Sequence, residues 1–279
     1  MSGLTNPVRR YVTSRDLDVL RLGLSERDVA ILLTLKEYRL ATGAQLRRWH
    51  FAGHASSTAA ARAARHGLKR LKELGLLDHL ERRIGGVRSG STGYIWHLPR
   101  AGHRLLVHIE GTALPARLNV AEPSLRKVDH TLAVTEVGLR LYEASLAGRL
   151  EVIECSPEPS CWRSYLSTGG VRATLKPDLF AVTTRPGDDS EALHFIEVDR
   201  ATESPATIQR KAAQYAAYQR TGLEQRAQGV FPYVTWLVPD DERAAKLKAA
   251  LAADRRIEAG VHQVMRLDEF LSVVSGTPP

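Results

Sequence analysis

With 279 residues, 43% hydrophobic and 25% charged, the chain can bury an ordinary core, and at ~100–200 residues per domain it is expected to form about two domains rather than a disordered polymer. No apolar run approaches the ~18 residues needed to span a bilayer, and the opening MSGLTNPVRRYVTSRD lacks a secretion signal's apolar stretch, so a cytoplasmic location with no membrane partner is expected. The net charge of +8 is unevenly placed: residues 1–130 hold 22 Lys and Arg against 11 Asp and Glu, and residues 131–279 hold 17 against 20. A front part at +11 joined to a back part at −3 points to a polyanion-binding domain followed by one with another task.

Residues 1–23 read as an N-terminal extension. Ser25-x-x-Asp28 has the form of a capping box, and Val29, Ile31, Leu32, Leu33 and Leu35 continue it as a first helix. Thr42 can cap a second, shorter helix through Leu46 and Trp49. The hydroxyls at 56–58 can cap a long third helix that runs to Leu74 and stops at Gly75. Residues 76–98 read as a hairpin: a strand over 76–82, a glycine-rich tip over 85–93, and a return over 94–98. Pro99 opens a short helix through Leu105 and Leu106. This order predicts a winged helix-turn-helix over residues 24–108.

The third helix carries the strongest local signal. Arg62, Arg65, Lys69 and Lys72 are spaced three, four and three, so they share one helical face, with His66 beside them and Ala64, Leu68 and Leu71 on the other side. Such a helix fits the major groove of duplex DNA, where Arg and Lys reach guanine edges and phosphates. Arg82, Arg83 and Arg88 around the glycine-rich tip suit a wing that contacts backbone or minor groove. The competing account is a solvated face, the usual fate of charged side chains.

Gly111, Pro115 and Pro123 mark residues 109–127 as a linker. Beyond it, over 128–279, the pattern becomes helix (128–147), strands (150–155, 178–183, 193–198), helix (205–218), strand (233–238), helix (241–253), then a last strand and a short helix to 274. Three segments combine into a candidate site. Lys176-Pro177-Asp178 opens one strand, Glu197-x-Asp199 ends the next, and Lys211 lies on the following helix. Asp178 and Glu197, with Asp199, can converge on magnesium or manganese, hard cations that prefer carboxylates and can activate water against a phosphodiester. Glu136 or Glu143, on the preceding helix, could complete the shell. Otherwise these acids are polar strand ends of an inactive scaffold.

Other chemistries are disfavoured. Cys155 and Cys161 lack zinc-knuckle spacing and are expected to be reduced thiols. There is no His-x-His pair for a three-histidine relaxase, and Gly85-Gly86 and Gly90 lack the Lys-Ser/Thr of a nucleotide loop. Nicking through a tyrosine stays open at Tyr165, Tyr215 or Tyr218, although Tyr215 and Tyr218, three apart on an expected amphipathic helix, are in positions that more often pack.

The order of Pro-Asp before Glu-x-x, among helix, three strands, helix and strand, resembles the restriction-endonuclease-like PD-(D/E)xK fold, a mixed sheet flanked by helices. In that fold Asp178 and Glu197 would be metal ligands, and a lysine normally stands two residues after the Glu. Here that position is Asp199, and Lys211 is the substitute the resemblance allows, as a catalytic group with Asp178 and Glu197. The whole chain, through LSERDVAILLTLKEYRLATGAQLRRWHF, AARHGLKRLKELGLLDHLERRIGG, GYIWHLPRAGHRLL, DHTLAVTEVGLRLYEA, KPDLFAV and FIEVDRATES, is similar to the replication-relaxation family of plasmids and mobile elements. The resemblance implies double-stranded DNA as the partner, in replication, relaxation or mobilisation, with a homodimer and replication or conjugation proteins as further partners. Two alternatives stay open: a divalent-metal-dependent nicking endonuclease, and a transcriptional regulator whose second domain is an inactive dimerisation module.

Overall fold

Side-chain oxygens set the helix starts of the first unit. The computed structural model describes residues 13–83, 93–112, 125–167, 169–254, 257, 258 and 260–276, and the chain divides into two units, 1–123 and 124–279. α1 (Ser14–Leu22) opens on Thr13, α2 (Glu26–Tyr38) on Ser25, and α3 (Gly43–His50) on Thr42. In all three the cap hydroxyl accepts from the N3 amide while the N3 side chain answers at the cap's own amide. β1 (Leu40–Thr42) leads into α3, and Ser56 caps α4 (Ser57–Glu73). Beyond α4, Gly75 turns the chain at φ +72°, a conformation glycine adopts freely. β2 (Asp78–Arg83) and β3 (Tyr94–His97) follow, then α5 (Arg100–Glu110) behind Pro99.

The three strands form an antiparallel sheet in the order β1-β3-β2. Ile31, Leu32 and Leu35 of α2 meet Leu46, Leu68, Leu71, Trp96 and Leu105 in one core. Gly102 lets α5 press against the chain leaving α4, because a Cβ there would stand 2.5 Å from the Leu76 carbonyl oxygen. The expected helices at 25, 42 and 56 and the two hairpin strands are present, with the tip at 84–92 outside the described residues. α1, which falls in the expected extension, and β1 are additions. α1 carries its own signal, Thr13-x-x-Asp16, whereas a three-residue strand has no periodicity to read.

In the second unit, α6 (Leu125–Leu146) precedes β4 (Glu151–Pro157), a hairpin of β5 (Arg163–Leu166) and β6 (Arg172–Leu175), β7 (Leu179–Thr184) and β8 (Glu191–Val198). α7 (Pro205–Gln219), α8 (Leu223–Gln228), β9 (Tyr233–Val238), α9 (Asp241–Ala252), β10 (His262–Arg266) and α10 (Leu267–Ser275) complete it. The sheet is mixed, in the order β10-β9-β8-β7-β4: β7 runs antiparallel to both β4 and β8, and β8, β9 and β10 are parallel. Phe180, Val182, Phe195, Val234 and Trp236 face Ile208, Ala212, Tyr215 and Leu247, so α7 and α9 cover one face. α6 and α10 pack on the other. The near-continuous apolar runs of β7 and β9 follow from burial on both faces. Asp178 and Leu193 were expected to begin strands. Asp178 instead immediately precedes β7, and β8 starts two residues earlier, at Glu191. The chain is thus α/β, with a mixed five-stranded sheet flanked by helices.

Candidate functional site

Two groups of polar side chains stand out, one in each unit. On α4, Ala60, Ala64, Leu68 and Leu71 are buried, while Arg62, Arg65, His66 and Lys69 are exposed. The Lys69 side chain is 77% exposed, and its contact with Glu73 is long, 3.7 Å. A pair this open contributes only ~0.3–0.5 kcal/mol and leaves the ammonium available to a partner. Lys72 is half-buried and bonds Asp78 Oδ1 at 2.8 Å, so it is partly engaged. Arg82 and Arg83 lie on β2, and Arg88 is outside the described residues.

Arg70 points the other way and pairs with the buried Asp28. Asp28 also accepts from the Ser25 amide at 2.8 Å and the Ser25 hydroxyl at 2.6 Å. Burial works against its charge, but Ser25 and Arg70 outweigh burial and hold the carboxyl below its ordinary value. One carboxylate thus closes the cap of α2 and fastens α4 to it.

The second group lines a cleft of about 370 Å³ where β8 and β9 end. Leu179 pairs with Ile196, and continuing this antiparallel register by one residue sets Asp178 beside Glu197. Both are buried, as is Asp199. The Val198 amide donates to Asp178 Oδ2 at 2.7 Å, and His130 Nε2 lies 3.1 Å from Oδ1. Burial opposes the charge of Asp178, yet Lys211, His130 and the Val198 amide outweigh it, so this carboxyl titrates below its ordinary value. The bond to Asp178 raises His130 above its ordinary value against the effect of burial.

Lys211 and Tyr215, one turn apart on α7, grip opposite oxygens of Glu197. The lysine ammonium pairs with Oε2, and the tyrosine hydroxyl donates to Oε1 at 2.5 Å. Burial resists the ammonium charge, but Glu197 and Asp178 prevail and raise Lys211, so it keeps its proton at neutral pH. Burial raises the Glu197 carboxyl to about 8, with the neighbouring Asp178 charge adding to the effect and Lys211 opposing it. Asp199, in the position where the PD-(D/E)xK pattern has lysine, accepts two bonds from Arg243 of α9 and one from the Ala201 amide at 3.0 Å.

The cleft therefore gathers Asp178, Glu197, Asp199 and Lys211, all expected from the sequence, with Lys127, His130, Arg200 and Trp236, which were not. The contribution of α6 is His130 rather than Glu136 or Glu143. Glu136 stands six residues further along, ~9 Å at 1.5 Å per residue, and neither glutamate lines the cleft. Nothing local marked His130, since a histidine on a half-buried helix is usually a packing residue. Tyr215 was assigned to packing, and it does pack, but its hydroxyl also serves the cleft acid.

The donor set does not fit a resident divalent ion in this arrangement. Each acid is engaged by its own basic side chain, His130, Lys211 or Arg243, and among the described residues no group of three His, Cys, Asp or Glu side chains is placed to hold a metal. Chemically, the cleft can hold protons at His130 and Glu197 and offer Lys127 and Arg200 at its mouth. Also among the described residues, no helix is long and apolar enough to cross a membrane.

Comparison with curated proteins and with solved structures found no match. The family model described as replication-relaxation matches residues 32–234, nearly three quarters of the chain, including α4 and all four cleft residues expected from the sequence. The chain belongs to the replication-relaxation family, which supports a role in replication or relaxation in general terms.

Proposed function

We propose that the protein binds double-stranded DNA through the first unit, read as a winged helix-turn-helix, in plasmid or mobile-element replication, relaxation or mobilisation. The observation that carries this is the split surface of α4, whose Ala and Leu face is buried while Arg62, Arg65, His66 and Lys69 stand in solvent. The element order favours the same reading: helix, short strand, helix, long helix, then two antiparallel strands. The local excess of +11 over residues 1–130 supplies the long-range attraction to phosphates.

The second unit is read as a restriction-endonuclease-like scaffold. Its acids, each engaged by a basic side chain of the protein, favour a binding or positioning role over metal-dependent nicking.

The test is duplex binding by the full chain across a salt series. Wild type is expected to lose affinity steeply with salt, because binding releases counterions. The combined Arg62→Ala, Arg65→Ala and Lys69→Ala variant is expected to bind weakly, with a smaller salt slope. Unchanged affinity and slope would reject α4 as the interface. In parallel, supercoiled plasmid with manganese should stay supercoiled; open circles made by wild type but not by Asp178→Ala would replace the scaffold reading with a nickase.

A further inference from the structure

One hairpin of the second unit stands apart from its main sheet. Among the described residues, β5 and β6 pair only with each other, as a two-stranded antiparallel ribbon inserted between β4 and β7. The Cys161 thiol donates to the Pro177 carbonyl at 3.1 Å and closes its base, one residue before Asp178 of the cleft. At the other end the Ser167 amide donates to the Val171 carbonyl at 2.9 Å, and Gly170 turns the chain at φ +73°. A Cβ on Gly169 or Gly170 would meet nothing within 4 Å, so the tip backbone has open space around it.

The register divides the ribbon into two faces. Arg163 pairs with Leu175 and Tyr165 with Ala173, and this face packs inward. Leu175 is buried, the Tyr165 ring lies 5.2 Å from that of Tyr218 on α7, and Arg163 Nε bonds Glu224 of α8 at 3.2 Å. On the opposite face Ser164 pairs with Thr174 and Leu166 with Arg172, and all four are exposed. Val171 at the tip and Lys176 at the base are exposed as well. The Lys176 ammonium lies 4.5 Å from the centre of the Trp162 ring, a contact that steadies its long side chain. A two-stranded ribbon is marginal by itself, so the inner face supplies its stability and the outer face is left to a partner.

Charge and shape narrow that partner. Residues 162–176 hold three Lys and Arg and no Asp or Glu, whereas the rest of 131–279 holds 14 against 20. The ribbon is a basic projection from an acidic unit. Arg163 is committed to Glu224, which leaves Arg172 and Lys176 to face a polyanion. Two aliphatic side chains cap this basic face, with Leu166 62% and Val171 67% exposed. A two-stranded ribbon fits a groove of duplex DNA, cations and hydroxyls suit the phosphates that flank it, and apolar tips are what proteins press into the minor groove.

We propose that the β5–β6 ribbon is a second contact for duplex DNA. Arg172 and Lys176 neutralise phosphates, Ser164 and Thr174 donate to the backbone, and Leu166 and Val171 enter the minor groove. The inference rests on the reading of the protein as a duplex binder, and it gives the second unit its own share of that binding.

The test is fluorescence anisotropy of the full chain on duplex DNA across a salt series. Two double variants are compared with wild type: Arg172→Gln with Lys176→Gln, and Leu166→Ser with Val171→Ser. Each is expected to weaken binding by about tenfold. The first should also flatten the salt slope, while the second should leave it unchanged, because an apolar contact releases no counterions. All four side chains lie outside the core, so thermal melting should match wild type in both. Wild-type affinity and slope in both variants would overturn the ribbon contact while leaving α4 as the interface. Loss in the ribbon variants with full binding by the α4 triple variant would uphold the ribbon and reject α4. Absence of duplex binding by wild type would overturn both readings. Variants that keep duplex affinity but lose binding to phosphatidylserine vesicles would replace DNA with a membrane surface as the ribbon's partner.

Discussion

α4 and the cleft use cations in opposite ways. On α4, Arg62, Arg65 and Lys69 stand in solvent, where a charge costs little and remains available to a partner. In the cleft, Lys211 and Arg243 each meet a carboxylate that is nearly fully buried, and His130 meets Asp178. There each basic group is committed to one acid, because a buried polar or charged group cannot be left alone in a medium of low dielectric. The exposed cations of α4 are therefore the ones available to the proposed partner, whereas Lys211, Arg243 and His130 serve internal order.

The contrast breaks if the two sets respond alike to truncation. Lys211→Met leaves Glu197 and Asp178 buried without their ammonium and is expected to destabilise the fold by ~3–5 kcal/mol in urea unfolding. Arg65→Ala should shift the same transition by no more than ~0.5 kcal/mol. Comparable small shifts in both would mean that the cleft cations are as free as those on α4.

On the DNA side the contrast sharpens. Arg65→Ala and Lys69→Ala are expected to weaken binding to a preferred duplex by ~1–3 kcal/mol each where a base edge is lost, and random duplex by less. Lys72→Ala should cost less than either, since Lys72 already serves Asp78. Fluorescence anisotropy at fixed salt ranks them, and an equal loss for all three on both duplexes would leave only phosphate contacts.

The smallest effect concerns pH. The folded protein raises His130, so its contribution is complete below the unfolded value of about 6.5 and fades as pH rises through the folded one. Asp178 is depressed, so its contribution is complete above about 3.9 and fades as pH falls through its folded value. The stability gap between wild type and His130→Gln should therefore be widest at about pH 4–6.5, up to ~1 kcal/mol, and close toward alkaline pH. A gap that stays constant from pH 5 to 9 would show that the pair carries no titrating charge.

Local chemistry made much of the first unit legible. A hydroxyl three residues before an acid or amide can close a helix start within a single turn, which is why Ser25 and Thr42 were readable and Thr13, by the same rule, could have been. The spacing of Arg62, Arg65 and Lys69 separates a cationic from an apolar face before any packing is known. Arg70 shows the limit: one residue beyond Lys69, it looks like another surface cation, yet it is held by Asp28, 42 residues away.

In the second unit the sequence determined that Asp178, Glu197 and Asp199 sit at strand ends, where acids interrupt apolar runs, and that Lys211 lies on the helix that follows. Only the tertiary structure decided their company. His130 arrives from α6, Tyr215 reaches Glu197 from a helix already assigned to the core, and Arg243 claims Asp199 from α9. A sequence exposes interactions that close within a turn of helix or a strand period. Contacts across tens of residues depend on sheet order and register, which are set by the packing of the whole unit.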